Sequence, residues 1–373
     1  MIWIIFLLPV LIFAQVDIFG YYESEYDYLQ LQNSDYNFGY NKLRLDLESR
    51  PSDQVMIAGN INFQLYHGKT DWDLIDFIPK SIGTDIGSLS FSLKDTLFLD
   101  NIYLRTSFSK FDLTIGRQPL SLGTGYAWNP LDIFNRKELM DPTYEQPGIN
   151  ALRMEIPMDL DGIHLDAIIT PDSTWEMSTK MIQIKKGLGR FDISLNGAYQ
   201  HHLVHNAEAG YTYENVYFAG GAFVGEFWEF GLWGETLWSL DVDDNFGEVV
   251  LGTDHTLNNG LYLMCEYLHN SLGADEDDLQ FDHYMYNYSG ETHSLMQNYI
   301  FVMGMYNLTD YIASSVVVFG NLDDSSFILA PQIDWDVFED VSMGVWLSQS
   351  IGDEDTEFGI QNRAVRFRIR SYF

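Results

Sequence analysis

Cysteine, basic residues and long apolar runs are scarce in this chain, and each scarcity excludes a class of protein. The one cysteine, Cys265, rules out an internal disulfide and any cysteine-rich metal cluster. There are 20 basic residues against 54 acidic ones, so nucleic acid is not an expected partner, because its binding relies on clustered basic charge. No apolar run approaches roughly 18 residues, so membrane-spanning helices are not expected. Aromatic residues are abundant, at 15%, which argues against intrinsic disorder.

The N-terminal residues 2–14 are uncharged and almost wholly apolar. At ~1.5 Å per residue this run is too short to cross a hydrocarbon core of ~30 Å as a helix. Its length is typical of a secretory signal, so residues 1–14 are predicted to be a signal peptide and 15–373 the exported chain. The alternative is a buried strand or helix, because no basic residue precedes the run and Ile12 is large for a cleavage site.

Apolar and polar residues alternate with period two in many segments. A strand places successive side chains on opposite faces, so this pattern predicts strands with one apolar and one polar face. The last segment is the clearest, with Val365, Phe367 and Ile369 alternating with Arg366, Arg368 and Arg370. About 18 strands are predicted, with 16 as the alternative: 16–28, 38–49, 54–66, 97–108, 110–118, 149–157, 163–170, 175–185, 190–200, 215–225, 228–239, 246–257, 261–270, 297–306, 311–320, 326–337, 341–350 and 360–373.

Short turn signals such as 159–162 alternate along the chain with longer polar stretches such as 270–296. This arrangement predicts an all-β fold, a transmembrane antiparallel up-and-down β-barrel with tight periplasmic turns and long external loops. A soluble β-sandwich or solenoid would also alternate. Aromatic residues near many strand ends favour the barrel, because interfacial girdles explain their position.

Two segments resemble known families. Residues 366–373 resemble the closing strand of Gram-negative outer-membrane barrels, which ends in Phe and is read by the barrel assembly machinery. The stretch 99–135, with Gly116-Arg117-Gln118 before a long loop, resembles the alginate-export and substrate-specific porin groups. The resemblance implies an outer-membrane location and a diffusion or export channel.

The stretch 119–148, called the inner loop below, is predicted to restrict the pore. Its glycines and prolines oppose regular strand pairing, and it is long for a connection without structure of its own. Aromatic residues such as Trp128 would anchor it to the wall, leaving four charged residues to line a constriction: Arg117, Asp132, Arg136 and Lys137. The alternative is an external loop folded over the mouth.

Charged residues at alternating strand positions are predicted to face the lumen, because a lipid-facing Arg or Lys costs ~2–4 kcal/mol near the midplane. The pore-lining set then includes Arg44, Arg105, Arg153, Arg366, Arg368 and Arg370. Closure of a barrel pairs the first strand with the last, which would set Glu23, Glu25 and Asp27 opposite the C-terminal arginines. Paired charges would form a structural zipper at the seam, whereas unpaired arginines would create a transverse field that selects solutes.

No enzyme, cofactor or metal site is predicted. There is no nucleophile elbow and no phosphate-binding glycine loop after a strand. His201, His202 and His205 match a metal site only weakly, and the acidic loop clusters lack the spacing of an EF-hand.

The predicted function is passive passage of small hydrophilic solutes across the outer membrane of a Gram-negative bacterium. The expected surroundings are outer-membrane lipid and lipopolysaccharide. Two alternatives remain: an export channel for an anionic polysaccharide, and a plugged adhesin or structural barrel. The sequence does not indicate an oligomeric state.

Overall fold

Strands make up most of the chain, as the alternation predicts. The computed structural model describes residues 16–31, 34–77, 90–137, 145–158, 162–206, 210–240, 246–275, 279, 281–289 and 292–373, so the predicted signal peptide at 1–14 lies outside the described residues. The strands are β1 (Val16–Leu31), β2 (Asp35–Ser52), β3 (Val55–Gly68), β4 (Asp71–Asp73), β5 (Ser90–Ser92), β6 (Thr96–Ser107), β7 (Asp112–Gln118), β8 (Ile149–Met158), β9 (Ile163–Thr170), β10 (Thr179–Leu188), β11 (Phe191–Asn206), β12 (Gly210–Phe227), β13 (Phe230–Ser239), β14 (Phe246–Thr256), β15 (Tyr262–Asn270), β16 (Asn298–Thr309), β17 (Ile312–Asn321), β18 (Ser326–Phe338), β19 (Val341–Ile351) and β20 (Gln361–Tyr372).

All strands except β4 and β5 form one 18-stranded antiparallel sheet, which confirms the predicted strand number. β1 pairs with both β2 and β20, so the sheet closes into a barrel. β4 and β5 form a separate two-stranded sheet, and the 3-10 helix Leu74–Phe77 directly follows β4. A second 3-10 helix is Phe358–Ile360, and the helix α1 is Phe281–Ser289. Among the described residues, no helix is long and apolar enough to cross a membrane.

Short and long connections lie at opposite ends of the barrel. β12 and β13 are joined through residues 228–229, and β18 and β19 through 339–340, whereas α1 lies in the long connection between β15 and β16. The backbone of Phe373 pairs with that of Gly20, so the start of β1 and the end of β20 lie together at the short-turn end. The antiparallel up-and-down topology therefore agrees with the prediction.

The alternation sorts side chains between the two faces of the wall. On β20, Phe367 is exposed on the outside, and Arg368, the next residue, is buried on the inside. The largest departure from the predicted strands is the hairpin of β11 and β12, which stays paired as far as Asn206 and Gly210. Residues 201–206, His-His-Leu-Val-His-Asn, do not alternate between apolar and polar residues, so hydrophobic alternation cannot reveal this part of the hairpin.

Candidate solute channel and its inner loop

The described part of the inner loop lies inside the barrel, along the wall. Leu120 and Leu122 pack against inward-facing residues of β8, β9 and β10, which are Ala151, Ile168 and Met181. Leu131 packs against Ala222 on β12 and Leu237 on β13. Trp128 reaches farther, and its ring lies 5.2 Å from that of Phe319 on β17. The first half of the loop thus follows the wall from β8 to β17.

Two buried carboxylates on the wall bind the backbone of the loop. Glu266 on β15 accepts hydrogen bonds from the amides of Tyr126, Ala127 and Trp128, at 2.6, 2.8 and 2.9 Å, and from the Trp233 indole at 2.5 Å. Its side chain is 0% exposed. Hydrogen bonds to a charged group are stronger than those between neutral groups, so Glu266 is a strong anchor for this segment.

Glu235 on β13 binds the preceding segment in the same way. It accepts hydrogen bonds from the amides of Thr124 at 2.6 Å, Gly125 at 3.2 Å and Leu131 at 3.3 Å. Gly123 has a φ of 81°, and a Cβ at this position would collide with the Glu235 carboxylate. Glycine is therefore required where the loop turns against Glu235.

The predicted constriction residues of the loop bind the loop and its neighbours. Asp132 is 1% exposed and accepts hydrogen bonds from the Leu122 amide at 3.4 Å and from Gln146 at 2.9 Å, so it organises the loop rather than lining a path. Arg136 donates to the Asn287 carbonyl of α1 at 2.7 Å, and Lys137 donates to the Tyr126 carbonyl at 3.0 Å. Burial raises the pKa of Asp132 and lowers the pKa of both Arg136 and Lys137.

The returning part of the loop contacts a different part of the wall. Glu145 accepts hydrogen bonds from Arg44 at 2.7 Å and Lys42 at 3.0 Å on β2, and from the Tyr21 hydroxyl on β1 at 2.8 Å. Burial acts to raise the pKa of Glu145, but the charges of Lys42 and Arg44 outweigh it and hold this pKa below its ordinary value. The inner loop is therefore bound both to β13–β17 and to β1–β2.

A cavity of about 980 Å³ remains between the inner loop and the wall formed by β15–β20, β1 and β2. Its lining includes Phe38 and Trp72 at the long-loop end and Tyr262 at the short-turn end. On β17 the lining extends from Ala313 to Phe319, six residues or about 20 Å of strand. The space therefore extends along most of the wall's height.

The two sides of this cavity differ in polarity. Five neighbouring strands, β15–β19, contribute the apolar wall, defined here as Met264, Phe301, Met303, Val317, Phe319, Ile328, Ala330 and Trp346. The loop contributes Lys137 and Gln146 together with Tyr126 and Ala127, and two charged residues, Arg366 and Asp27, stand beside the wall on β20 and β1. Asp334, nearer the short-turn end of β18, is also part of the lining.

At the closure seam the C-terminal arginines meet the acidic residues of β1. The register places Glu23 opposite Arg370, Glu25 opposite Arg368 and Asp27 opposite Arg366. The Arg370–Glu23 contact is 2.5 Å and the Arg366–Asp27 contact is 2.7 Å. The Arg368 guanidinium lies 4.5 Å from the centre of the Trp346 ring and 3.6 Å from Glu23.

The other predicted arginines also have acidic or carbonyl partners. Arg105 contacts Asp112 at 2.9 Å, and Arg153 contacts Asp166 at 2.6 Å. Arg117 donates to the Asp100 carbonyl at 2.8 Å. Together with the seam, these contacts have the geometry of the paired arrangement rather than of an array of unpaired arginines.

Of the predicted site residues, the cavity lining contains Lys137, Arg366 and Asp27. The other predicted site residues lie on the barrel wall or within the loop. The sequence analysis did not identify the loop-binding carboxylates Glu235 and Glu266 or the apolar wall. Each had a signal. Glu235 and Glu266 are lone acids at inward positions between apolar residues, and 298–306, 312–320 and 326–330 are apolar or uncharged at both parities, not at one.

External loops are also bound to the barrel interior. On β14, Glu248 is fully buried and contacts the imidazole of His293 at 2.6 Å. Glu357 accepts hydrogen bonds from the Tyr299 hydroxyl at 2.6 Å and from Asn321 at 2.7 Å. Burial, with the nearby charges of two acidic residues, Asp324 and Asp323, raises the pKa of Glu357 to about 7.

No group of His, Cys, Asp and Glu suited to a metal ion occurs within the described ranges. His201 contacts the Asn215 side chain at 3.0 Å and stacks on Tyr213. The side chains of His202 and His205 lie outside the described ones. Of the acidic loop clusters, residues 241–244 lie outside the described residues, and Asp353 is exposed.

No protein-family model matches the chain, and no curated protein matches it. Solved structures do. OccAB4 of Acinetobacter baumannii is similar with a TM-score of 0.60 at 9% identity, over 96% of this chain and 98% of that one. OprD of Pseudomonas aeruginosa gives 0.59 at 10% identity over 96% and 93%, and OccK11 (OpdR) of the same organism gives 0.59 at 9% over 96% and 96%. At these identities the similarity concerns the fold, and the chain has the fold of an outer-membrane porin.

Proposed function

We propose that this chain is an outer-membrane channel of a Gram-negative bacterium, through which small hydrophilic solutes diffuse passively. The observation that carries the proposal is the cavity of about 980 Å³ between the inner loop and the wall, with lining residues from both ends of the barrel. A loop that is bound on two sides inside a closed barrel narrows the lumen at a fixed position. Size exclusion then follows from geometry, without a moving part or a chemical step.

The signal peptide, assembly through the C-terminal strand and contact with lipopolysaccharide belong to the same proposal. They are supported by the apolar residues 2–14, by the terminal Phe373 and by the apolar outer face of the barrel. The paired charges support a structural role for the seam. Neutralising Arg366, Arg368 and Arg370 together should then alter stability more than ion selectivity in planar bilayers.

Export of an anionic polysaccharide, which the resemblance of 99–135 suggests, would require a wide lumen with unpaired basic charge. The ion pairs Arg370–Glu23 and Arg366–Asp27 and the narrowing by the inner loop favour diffusion of small solutes instead. Single-channel recording with added uronate oligomers separates the two functions. Blockage of the current by these oligomers at low concentration would favour polysaccharide transport.

The decisive experiment is swelling of proteoliposomes in a series of neutral sugars of increasing size. We expect swelling rates that fall steeply with the size of the sugar, because the inner loop restricts the lumen. Liposomes with heat-denatured protein serve as the control. If the folded protein causes no swelling with any sugar, the barrel is plugged and the channel proposal is wrong.

A further inference from the structure

An apolar surface is unusual on the inside of a water-filled barrel, where polar side chains are the rule. Here the apolar wall occupies the inward positions of five consecutive strands, β15–β19. Val317 and Ala330 are only partly buried, and Met305, which continues the lining toward the short-turn end, is 37% exposed. The wall thus presents part of its apolar surface to the cavity itself.

Packing of the inner loop does not account for the whole wall. The inner loop covers the part of the wall nearest the long-loop end, where Trp128 and Tyr126 pack on aromatic residues of β16 and β17. Ala330 and Met305 lie outside the cluster of buried residues that contains Trp128, are only partly buried and line the cavity, whereas Ile328 and Trp346 are themselves buried, at 4% and 9% exposure. Met305, Val317 and Ala330 therefore form the part of the apolar lining that is open to a solute in the channel.

The rest of the cavity lining supplies polar groups of both signs. Lys137 and Gln146 face the wall from the loop, and Asp27, Arg366 and Asp334 adjoin it. The Lys69 ammonium lies 3.7 Å from the centre of the Tyr36 ring at the long-loop end, where Trp72 and Phe77 stack on each other and also line the cavity. The aromatic surface therefore begins at the mouth of the channel.

We propose that the channel prefers small amphiphilic solutes, whose apolar side group slides along the apolar wall while their charged groups of both signs face the polar side. This preference rests on the proposed channel function and specifies its substrate class. Contact with the wall removes apolar surface from water, which raises the concentration of such a solute in the channel. Each contact is small, so the solute still leaves, as conduction requires.

The test compares leucine and asparagine, two zwitterions of almost equal mass, so that size exclusion cannot separate them. Initial uptake of each radiolabelled amino acid, at low concentration, is measured in proteoliposomes. We expect leucine to enter about fourfold faster, which is the factor that one methylene group removed from water contributes. Equal rates, or faster uptake of asparagine, would overturn the inference and leave the channel function intact, whereas failure of both to enter would reject the channel itself.

The variant V317T/A330S tests whether the wall is responsible. Both substitutions make partly buried lining positions polar with little change in volume, so the ratio of leucine to asparagine uptake should fall toward one. S315A is the matched control, because Ser315 is also a lining residue of β17 and its change adds no polarity; the ratio should not fall. A change of gel mobility on heating verifies that each variant is folded. The asparagine uptake rate corrects for differences in the amount of active protein between preparations. An unchanged ratio in folded V317T/A330S would overturn the role of the wall.

Discussion

Glu266 offers the sharpest test of how the inner loop is held. Its two carboxylate oxygens accept hydrogen bonds from the amides of Tyr126, Ala127 and Trp128 and from the indole of Trp233. In Glu266→Gln one oxygen is replaced by an amide group, which is itself a donor. Two of the four donors then lose their acceptor, and the hydrogen bonds that remain are no longer charge-assisted.

The magnitude follows from these contacts. A hydrogen bond to a charged group contributes about 1.5–3 kcal/mol, and one between neutral groups about 1 kcal/mol. With the amide group in the place of Oε2, the Tyr126 amide bond is lost and the Ala127 and Trp128 bonds are weakened, which should cost the docked loop about 3 kcal/mol or more. Since each 1.4 kcal/mol corresponds to about tenfold in an equilibrium constant, the undocked loop should become about a hundredfold more populated.

Hydrogen exchange of the backbone amides of residues 126–128, followed in detergent micelles, measures the population of the undocked loop, because exchange from a buried amide reports local opening. We expect it to be about a hundredfold faster in Glu266→Gln. Glu248→Gln is the control, since Glu248 is an equally buried carboxylate on the next strand but binds His293 instead. Unchanged exchange in Glu266→Gln, or equal acceleration in Glu248→Gln, would refute the anchoring role.

Three further predictions concern packing, charge and pH. Trp128→Ala removes a side chain that is 3% exposed, a change that costs about 3–5 kcal/mol in a core, so single-channel records should show larger and noisier conductance. Arg370→Gln leaves Glu23 buried without this partner and should lower stability to urea by about 3–5 kcal/mol, whereas the double variant with Glu23→Gln should recover part of the loss. The pKa of Glu357 is raised from 4.5 to about 7, so the docked loop 352–360 favours the neutral carboxyl group. The free energy that Glu357 contributes to docking is therefore fully present below about pH 4.5 and is lost as the pH rises through about 7. Proteolysis of this loop should therefore accelerate between pH 5 and pH 8 in the wild type, and Glu357→Gln should abolish that dependence.

Much of the barrel was predictable from local pattern. The alternation of Val365, Phe367 and Ile369 with arginines is a property of neighbouring residues, and it identifies both the strand and its two faces. Up-and-down topology joins consecutive strands, so knowing the strands is nearly the same as knowing the fold. The seam between β1 and β20 follows from closure alone, and its register agrees with the acids and arginines of the two strands.

The site was less predictable, because its contacts join residues far apart in the chain. Residues 110 to 140 positions apart decide where the inner loop lies: Glu235 with Gly125, and Glu266 with Tyr126. The sequence showed that Asp132, Arg136 and Lys137 are charged residues in a long loop rich in glycine and proline. It could not show that these side chains would be used to bind the loop itself and its neighbours.

The scarce basic residues illustrate the division between what sequence and structure determine. The sequence by itself predicted, from the alternation of apolar and polar residues, strands that span a membrane and arginines that face inward, because the energetic cost of a charge in lipid applies to every residue on the outer face. Only the tertiary structure decided that most of those arginines are paired with acids, and that the cavity runs beside an apolar wall. Pairing and lining depend on which strands and loops meet across the lumen, and that is settled by packing between distant segments rather than by the pattern within any one of them.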